Sequence, residues 1–238
     1  MLDNEDIPRY KVTIIGESGV GKTCLLSRFI NDKYDDDILS NLCALYTSKE
    51  LEYEDLGKIK IQLDIWDTAG EEKFRSISKV FYKDTDAAIL VYDCTDRRSF
   101  EEMKNYWYKE LKERAPESII IAIAVSKCDL IEDEEVSEEE GRNFAKEIGA
   151  IFKATSALSG VGIMELFKAI GYKLLDPNFN LDEPKKEISE EEKEKIRKSI
   201  SQKGDEKGNE NIFEIKKEVK EVEENWFKKM FKKFCFIF

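Results

Sequence analysis

The residues that could do chemistry in this sequence begin with a glycine-rich stretch, Gly16 to Thr23, which reads G-E-S-G-V-G-K-T. It follows a short apolar run, Tyr10 to Ile15, and precedes Cys24 to Ile30, whose apolar residues have helical spacing. A G-x-x-x-x-G-K-[ST] motif between a strand and a helix is typical of a phosphate-binding loop. Its backbone N–H groups and the positive end of the following helix would face one anion. The stretch therefore predicts a nucleoside phosphate site.

The side chains within this loop have different predicted roles. Lys22 would reach the β- and γ-phosphates, and the Thr23 hydroxyl would ligate Mg²⁺. The other loop residues expected to contact the nucleotide are Glu17, Ser18, Gly19, Val20, Gly21 and Cys24. A glycine-rich turn that binds nothing is the alternative, and the complete motif in this context makes it the weaker one.

A second motif, D-T-A-G, starts at Asp67, directly after the strand predicted to end at Trp66. The Asp67 carboxylate could hold Mg²⁺ through a water molecule, and the Gly70 N–H could bind a γ-phosphate. Because turns after strands often contain Asp and Gly, this motif is weak by itself. Its place after Lys22 in the same order of strands makes it strong evidence for a nucleotide site.

The tetrapeptide S-K-C-D, residues 126–129, ends a later apolar strand. Asp129 could accept hydrogen bonds from N1 and the exocyclic amine of guanine, while the aliphatic stem of Lys127 covers the ring. Adenine lacks that amine, so a site built for these bonds rejects it. Residues 155–157 end the last predicted strand and would present a backbone N–H to the guanine oxygen. The predicted base site contains Ser126, Lys127, Asp129, Ser156 and Ala157.

The elements that must position these motifs alternate between strands and helices. Predicted strands after the first are Tyr46 to Tyr53, Lys58 to Trp66, Ala87 to Asp93 and Ile119 to Ser126. Capping boxes at Ser99 and Ser137 predict two helix starts, and an apolar stripe from Ile163 predicts a last helix that ends near Leu175. The pattern predicts an α/β P-loop NTPase fold, an open six-stranded, mostly parallel sheet with helices on both faces. Ligands of such sheets bind at the carboxyl ends of the strands, where every motif above falls.

The composition limits the class of protein. The 238 residues are 41% hydrophobic, which is enough for one domain with an appendage, and the net charge of −12 argues against non-specific nucleic-acid binding. The absence of histidine excludes imidazole base catalysis. Five cysteines without metal-like spacing favour a reducing, cytosolic environment. We expect no signal segment, and the longest apolar run, residues 119–125, is too short to cross a bilayer.

Together these motifs resemble the Rab branch of the Ras superfamily of small GTPases, over residues 8–176. The phosphate loop, D-T-A-G, S-K-C-D and S-A occur in the family's order. Three further stretches are similar to Rab sequences: Leu63 to Trp66, Lys73 to Ile77 and Leu90 to Thr95. The resemblance implies a GTPase that binds GTP or GDP with Mg²⁺, and it places Tyr34 against the base. A tyrosine packed at a helix end is the alternative for Tyr34.

Several positions depart from the family pattern. Asn41 stands where the Mg²⁺-binding threonine is expected, with Ser40 as a rival ligand. Glu71 replaces the water-orienting glutamine, and Ser126 replaces the asparagine that braces the phosphate loop. Sequence drift is one interpretation, and a changed switch is the other. The resemblance implies Glu71, Gly70 and Lys22 as catalytic residues and Thr23, Asp67 and Asn41 as metal ligands.

The last part of the chain, residues 177–238, is predicted to be a charged variable tail. It holds 15 basic and 15 acidic residues, so the net charge of −12 belongs to the residues before it. Residues 211–234 could form an amphipathic helix. The final four residues, from Cys235, fit C-a-a-X, and a terminal Phe favours geranylgeranyl transfer. Four nearby lysines would add attraction to anionic lipid, whereas a tail packed on the domain would leave Cys235 unmodified.

The sequence leaves two functions open. The first is a membrane-anchored Rab-like GTPase that switches between GDP and GTP, hydrolyses GTP slowly and recruits effectors in vesicle traffic. The second is a prenylated guanine-nucleotide-binding adaptor that switches poorly. The resemblance implies an exchange factor, a TBC-type activating protein, a GDP dissociation inhibitor and effectors as partners, and no nucleic acid. It also implies the cytoplasmic face of an intracellular membrane, with a cytosolic pool.

Overall fold

A computed structural model describes residues 7–33, 46–67 and 82–181 of the chain. Several predictions fall outside these described residues, namely those for Tyr34, Asn41, Gly70, Glu71, Cys235 and the helix at 211–234. The described residues form a six-stranded sheet with helices packed against it. The predicted α/β fold is confirmed.

The sheet is mostly parallel and has the strand order β2-β3-β1-β4-β5-β6. The strands are β1 (Arg9–Ile15), β2 (Tyr46–Tyr53), β3 (Ile59–Asp67), β4 (Ala87–Asp93), β5 (Ile120–Ser126) and β6 (Ile151–Ala154). Among the strand pairs of the described residues, only β2–β3 is antiparallel. Every residue of β4 is buried, as expected for an apolar run at the centre of a sheet covered on both faces.

Four helices longer than one turn occur in the described ranges. They are α1 (Lys22–Asn31), α2 (97–114), α3 (Glu138–Glu147) and α4 (Ile163–Leu175). The middle of α2, Met103–Trp107, is π-helical, and regular α-helix flanks it at Arg97–Glu102 and Tyr108–Arg114. Short 3₁₀ turns lie at Glu54–Leu56, between β2 and β3, and at Ile131–Asp133.

One of the two predicted capping boxes is wrong. Helix α2 begins after Asp96, whose side chain accepts a hydrogen bond from the Arg98 N–H at 2.9 Å. Ser99 lies inside the first turn, where its Oγ accepts from the Asp93 N–H at 3.0 Å and donates to the Asp96 carbonyl at 2.8 Å. Because Asp96, three residues earlier, already caps the start of the helix, Ser99 is not needed as a cap. Its side chain instead closes the turn that follows β4. The other box is confirmed, because Ser137 Oγ accepts from the Glu140 N–H at 3.3 Å.

Helices cover both faces of the sheet, as predicted. On one face α1 and α4 pack together through Phe29 and Phe167, whose rings stack with centroids 3.7 Å apart. On the other face α2 and α3 cover β4 and β5, with the Tyr92 and Phe100 ring centroids 4.8 Å apart. Each face therefore has its own apolar core.

The described residues also bear on two sequence predictions, the lack of a membrane-spanning helix and the lack of a disulfide framework. Across residues 7–33, 46–67 and 82–181, no helix has the length and apolar character needed to cross a membrane. Cys24, Cys94 and Cys128, the cysteines within these ranges, form no disulfide bond.

Helix α4 depends on a glycine where it crosses β2. A Cβ on Gly171 would lie 1.7 Å from Tyr53 Oη and 2.9 Å from Ile61 Cδ1. The tyrosine hydroxyl cannot withdraw freely, because it donates to the Lys168 carbonyl at 3.2 Å. Gly171→Ala should therefore lower the free energy of unfolding by about 1–2 kcal/mol, although alanine has the higher helix propensity.

Urea unfolding would measure this change, and the same substitution in a Tyr53→Phe background provides the control. Removal of the hydroxyl relieves the closest contact, so Gly171→Ala should cost less there than in the parent chain. A Gly171→Ala variant as stable as the parent would show that α4 and β2 have room for a methyl group at this contact.

Candidate functional site

The glycine-rich loop lies between the end of β1 and the start of α1, at the carboxyl edge of the sheet. Gly21 caps α1 with φ +90°, a left-handed conformation that glycine adopts without steric cost. Gly16 is required for a different reason, because a Cβ there would lie 2.3 Å from the Val91 carbonyl oxygen. The loop backbone therefore packs directly against β4 and folds around a single position.

Lys22 occupies the inside of this curl. Its side chain is buried, with the residue 5% exposed, and Nζ donates to the carbonyls of Gly16 at 2.9 Å and Glu17 at 2.6 Å. Burial lowers the pKa of the Lys22 ammonium to about 8, and the negative charges of Asp67 and Glu17 oppose that shift. A phosphate anion beside this ammonium would stabilise its charged form.

Thr23 and Asp67, the two described residues that the sequence predicts as Mg²⁺ ligands, lie together at the mouth of the loop. Thr23 Oγ1 donates to Asp67 Oδ2 at 2.6 Å. The Asp67 residue is 6% exposed, and its Oδ1 is buried without a hydrogen-bond partner among the described residues. Burial raises the pKa of this carboxyl, against the effects of the Thr23 hydrogen bond and the Lys22 charge. An unpaired carboxylate oxygen beside a hydroxyl is a donor set that fits Mg²⁺.

These two oxygen donors do not form a complete metal cage. The described ranges contain no group of three or more His, Cys, Asp or Glu side chains that could hold a metal ion. Mg²⁺ usually takes one or two protein oxygens and completes its shell with water and substrate phosphates. The Thr23–Asp67 corner therefore suits an ion that arrives with a nucleotide. The third predicted ligand, Asn41, lies outside the described residues.

Ser126 contacts the phosphate loop from the end of β5. Its Oγ is 2.6 Å from the Val20 carbonyl oxygen and 3.0 Å from that of Tyr92. A hydroxyl has one proton for these two acceptors, whereas an amide at this position would have two. The serine still joins β5, β4 and the loop, but with one donor fewer than the asparagine of the family pattern.

The predicted base-binding residues lie on adjacent loops at the same edge. Lys127 has φ +58° and its ammonium pairs with the Asp93 carboxylate, while Asp129 is exposed. The Cys128 N–H donates to the Thr155 carbonyl at 3.2 Å, which joins the two loops. These contacts place Asp129 beside the loop that follows β6.

Ser156 contributes to this region in a way that the sequence did not reveal. It is fully buried, and its Oγ accepts from the Ser159 N–H at 3.1 Å. Its own N–H donates to the Val161 carbonyl at 3.0 Å. The side chain therefore shapes the loop, and Ala157, half-buried beside it, keeps the predicted backbone role.

Two contacts near the site were missed by sequence reasoning. Trp107 Nε1 donates to Glu17 Oε1 at 2.9 Å, which joins α2 to the phosphate loop. Arg28 Nη2 donates to the Ser159 carbonyl at 3.3 Å, which joins α1 to the loop after β6. Both pairs are far apart in the chain and belong to no motif, so no spacing could have indicated them.

Comparison with known proteins gives a consistent family assignment. The model of the Ras family matches residues 11–176. Ras-related protein Rab-22A of Homo sapiens is 40% identical over 172 residues, which cover 72% of this chain and 86% of the relative. Ras-related protein Rab-31 of Homo sapiens is 40% identical over 176 residues, 73% of this chain and 88% of the relative. Ras-related protein Rab-21 of Mus musculus is 38% identical over 167 residues, 70% of this chain and 73% of the relative.

The Ser126 contacts lead to a test of how the phosphate loop is held. Ser126→Ala leaves the buried carbonyls of Val20 and Tyr92 without this donor, a loss of about 1–3 kcal/mol. Because Val20 belongs to the loop, release of bound GDP should accelerate by about tenfold or more, as measured with a fluorescent GDP analogue.

Thr85→Ala is the matched control. Thr85 is a buried hydroxyl that contacts Thr13 Oγ1 at 3.3 Å, before the start of β4 and away from the carboxyl edge. This variant should also lose stability in urea but should release GDP at nearly the parent rate. Equal GDP release from both variants would show that Ser126 affects only overall stability.

Proposed function

Because the chain belongs to the Rab family of Ras-superfamily small GTPases, we propose that it is a membrane-anchored GDP/GTP switch that recruits effectors in vesicle traffic. Members of this family bind GTP and GDP with Mg²⁺ and hydrolyse GTP, and this chain is a GTPase of that kind. The observation that best supports a working switch is the buried corner formed by Lys22, Thr23 and Asp67.

In this proposal the corner holds the phosphate end of the nucleotide. Lys22 would bind the β- and γ-phosphates, and Thr23 and Asp67 would hold Mg²⁺. When bound, the ion would neutralise charge on the phosphate oxygens. Two observations support these roles: Asp67 Oδ1 has no hydrogen-bond partner among the described residues, and burial lowers the pKa of the Lys22 ammonium.

The base would lie at the adjacent loops. Asp129 is exposed there and free to accept from the guanine N1 and amino groups. The Lys127 stem, fixed by the pair between its ammonium and Asp93, would cover one face of the ring. The Ala157 N–H would donate to the guanine oxygen, because the Ser156 N–H already donates to the Val161 carbonyl. Tyr34 would stack on the other side of the base.

The proposed switch has a folded domain and a tail with different roles. Residues 8–176 would be the GTPase domain, and 177–238 would be the tail that finds the membrane. A prenyl group on Cys235 and the lysines before it would provide the two signals that stable attachment requires. The family also suggests an exchange factor, a TBC-type activating protein, a GDP dissociation inhibitor and effectors as partners. The chain would then divide between an intracellular membrane, on its cytoplasmic face, and the cytosol.

A second function is favoured by the departures from the family pattern. With Asn41 in place of the switch threonine and Glu71 in place of the water-orienting glutamine, the chain could hold guanine nucleotide and switch poorly. It would then act as a prenylated adaptor. Single-turnover GTP hydrolysis separates the two functions, because the adaptor would leave GTP intact even with a TBC-type activating protein present.

The anchor can be tested at its modified atom. Cys235→Ser removes the thiol that receives the prenyl chain, so the protein should move from membranes to the cytosol in cell fractionation. Phe238→Leu is the matched control, because a terminal leucine also directs geranylgeranyl transfer and should preserve membrane attachment. A free Cys235 thiol in the protein from its native cell, found by mass spectrometry, would contradict the lipid anchor.

The Glu71 charge should limit the chemical step. A glutamine can accept from the attacking water and donate toward the phosphate, whereas a glutamate keeps only the acceptor. Its charge would also repel the γ-phosphate by about 4 kcal/mol at 4 Å and an effective dielectric of about 20. Intrinsic hydrolysis should therefore be slow, at or below roughly 10⁻⁴ s⁻¹.

Glu71→Gln should increase the single-turnover rate, and the increase should be smaller with an activating protein that provides its own glutamine. Glu72→Gln is the matched control, because it removes the same charge one residue away and should leave the rate near that of the parent. If Glu71→Gln hydrolyses GTP no faster with its nucleotide affinity unchanged, Glu71 is not the limiting residue and Asn41 becomes the next to test.

A further inference from the structure

Helix α2 contacts the phosphate loop through the Trp107 side chain. The Trp107 indole Nε1 donates to Glu17 Oε1 at 2.9 Å, and Trp107 is 6% exposed. Glu17 is the second residue of the loop and is half-buried. A hydrogen bond from a neutral donor to a carboxylate in a partly buried position is stronger than a bond between two neutral groups. The contact can therefore fix where this carboxylate lies.

The helix is irregular at the point of contact. Trp107 is the last residue of the π-helical segment Met103–Trp107. One extra residue in a turn rotates all later side chains by about 100° around the helix axis, so the π-helical turn determines which residue faces the loop. Met103, at the other end of the segment, is fully buried in the core beneath α2, which holds the irregular turn in place. Such turns are frequent at functional sites.

Glu17 links this contact to the phosphate-binding lysine. Its carbonyl oxygen accepts from Lys22 Nζ at 2.6 Å, one of two loop carbonyls that do so. A shift of Glu17 would therefore disturb the Lys22 ammonium directly. Glu17 also carries a negative charge within a loop that has to bind a polyanion, and a carboxylate that could swing toward the phosphates would repel them. The indole N–H holds that charge toward α2.

We propose that Trp107 is a positioning residue for nucleotide retention: its indole N–H anchors Glu17, and through Glu17 the phosphate loop, to helix α2. The proposal rests on the role of the loop in holding GDP and GTP, and it goes further by placing control of nucleotide release in a helix outside every nucleotide-binding motif. A ligand or partner that moves α2 at Trp107 would change how long the nucleotide stays bound.

A double-mutant cycle on the full chain tests this link. Trp107→Phe keeps an aromatic ring and removes the N–H, and Glu17→Ala removes the acceptor. Each single variant should release a fluorescent GDP analogue about three- to tenfold faster than the parent. The double variant should be no faster than the faster single one, because both substitutions break the same bond. Glu17→Gln keeps an oxygen acceptor and should release GDP more slowly than Glu17→Ala.

Phe100→Leu separates positioning from general stability. Phe100 is a fully buried aromatic residue in the same helix and packs on Tyr92 of β4. The Phe100→Leu substitution should lower the melting temperature at least as much as Trp107→Phe does, and it should leave GDP release near the parent rate. Additive effects in the cycle, unchanged release from Trp107→Phe, or equal acceleration by Phe100→Leu would each overturn the proposal. Failure of the parent chain to bind GDP would instead contradict the proposed role of the loop.

Discussion

A buried ammonium group is the constraint on which the functional end of this fold depends. Lys22 lies inside the phosphate loop, and taking its charge out of water costs free energy that two loop carbonyls offset only in part. The loop must curl tightly to bring those carbonyls inward. That curl in turn brings Gly16 so close to Val91 that no larger residue fits. The chemistry of one cation thus determines both the path of the loop and its distance from β4.

The carboxyl edge of the sheet holds the rest of the site together through contacts between neighbouring strand ends. Ser126 joins the phosphate loop to β5 and β4, and the pair between Lys127 and Asp93 joins the loops that follow those two strands. Arg28 extends the same connectivity to the loop after β6. The proposed phosphate and base regions are therefore joined by hydrogen bonds and an ion pair. A movement of the phosphate loop could therefore be transmitted to the loops after β5 and β6 through two or three side chains.

Most of the architecture could be predicted from the sequence, because unbroken apolar runs and a motif with a fixed mechanism are local signals. Two motifs at the ends of neighbouring strands indicated that Thr23 and Asp67 could serve one metal ion, and the two side chains are hydrogen-bonded. Helix α2 could not be predicted as well from local patterns. Ser99 fitted a capping pattern, but Asp96 lies three residues earlier and caps the helix instead. The Trp107 contact depends on a π-helical turn, which no spacing rule anticipates.

The two outer strands of the described sheet determine how readily copies of this protein could pair through their sheet edges. Among the described residues β2 and β6 are the outermost strands, and each has one side without a paired neighbour in the sheet. Open strand edges invite aggregation by strand addition, and short length and charge both discourage it. β6 has only four residues, and β2 carries the exposed carboxylates of Glu50 and Glu52. At the β6 edge an added strand would find only four residues to pair with, and at the β2 edge it would approach the Glu50 and Glu52 carboxylates. Both features of the described edges disfavour edge-to-edge self-association.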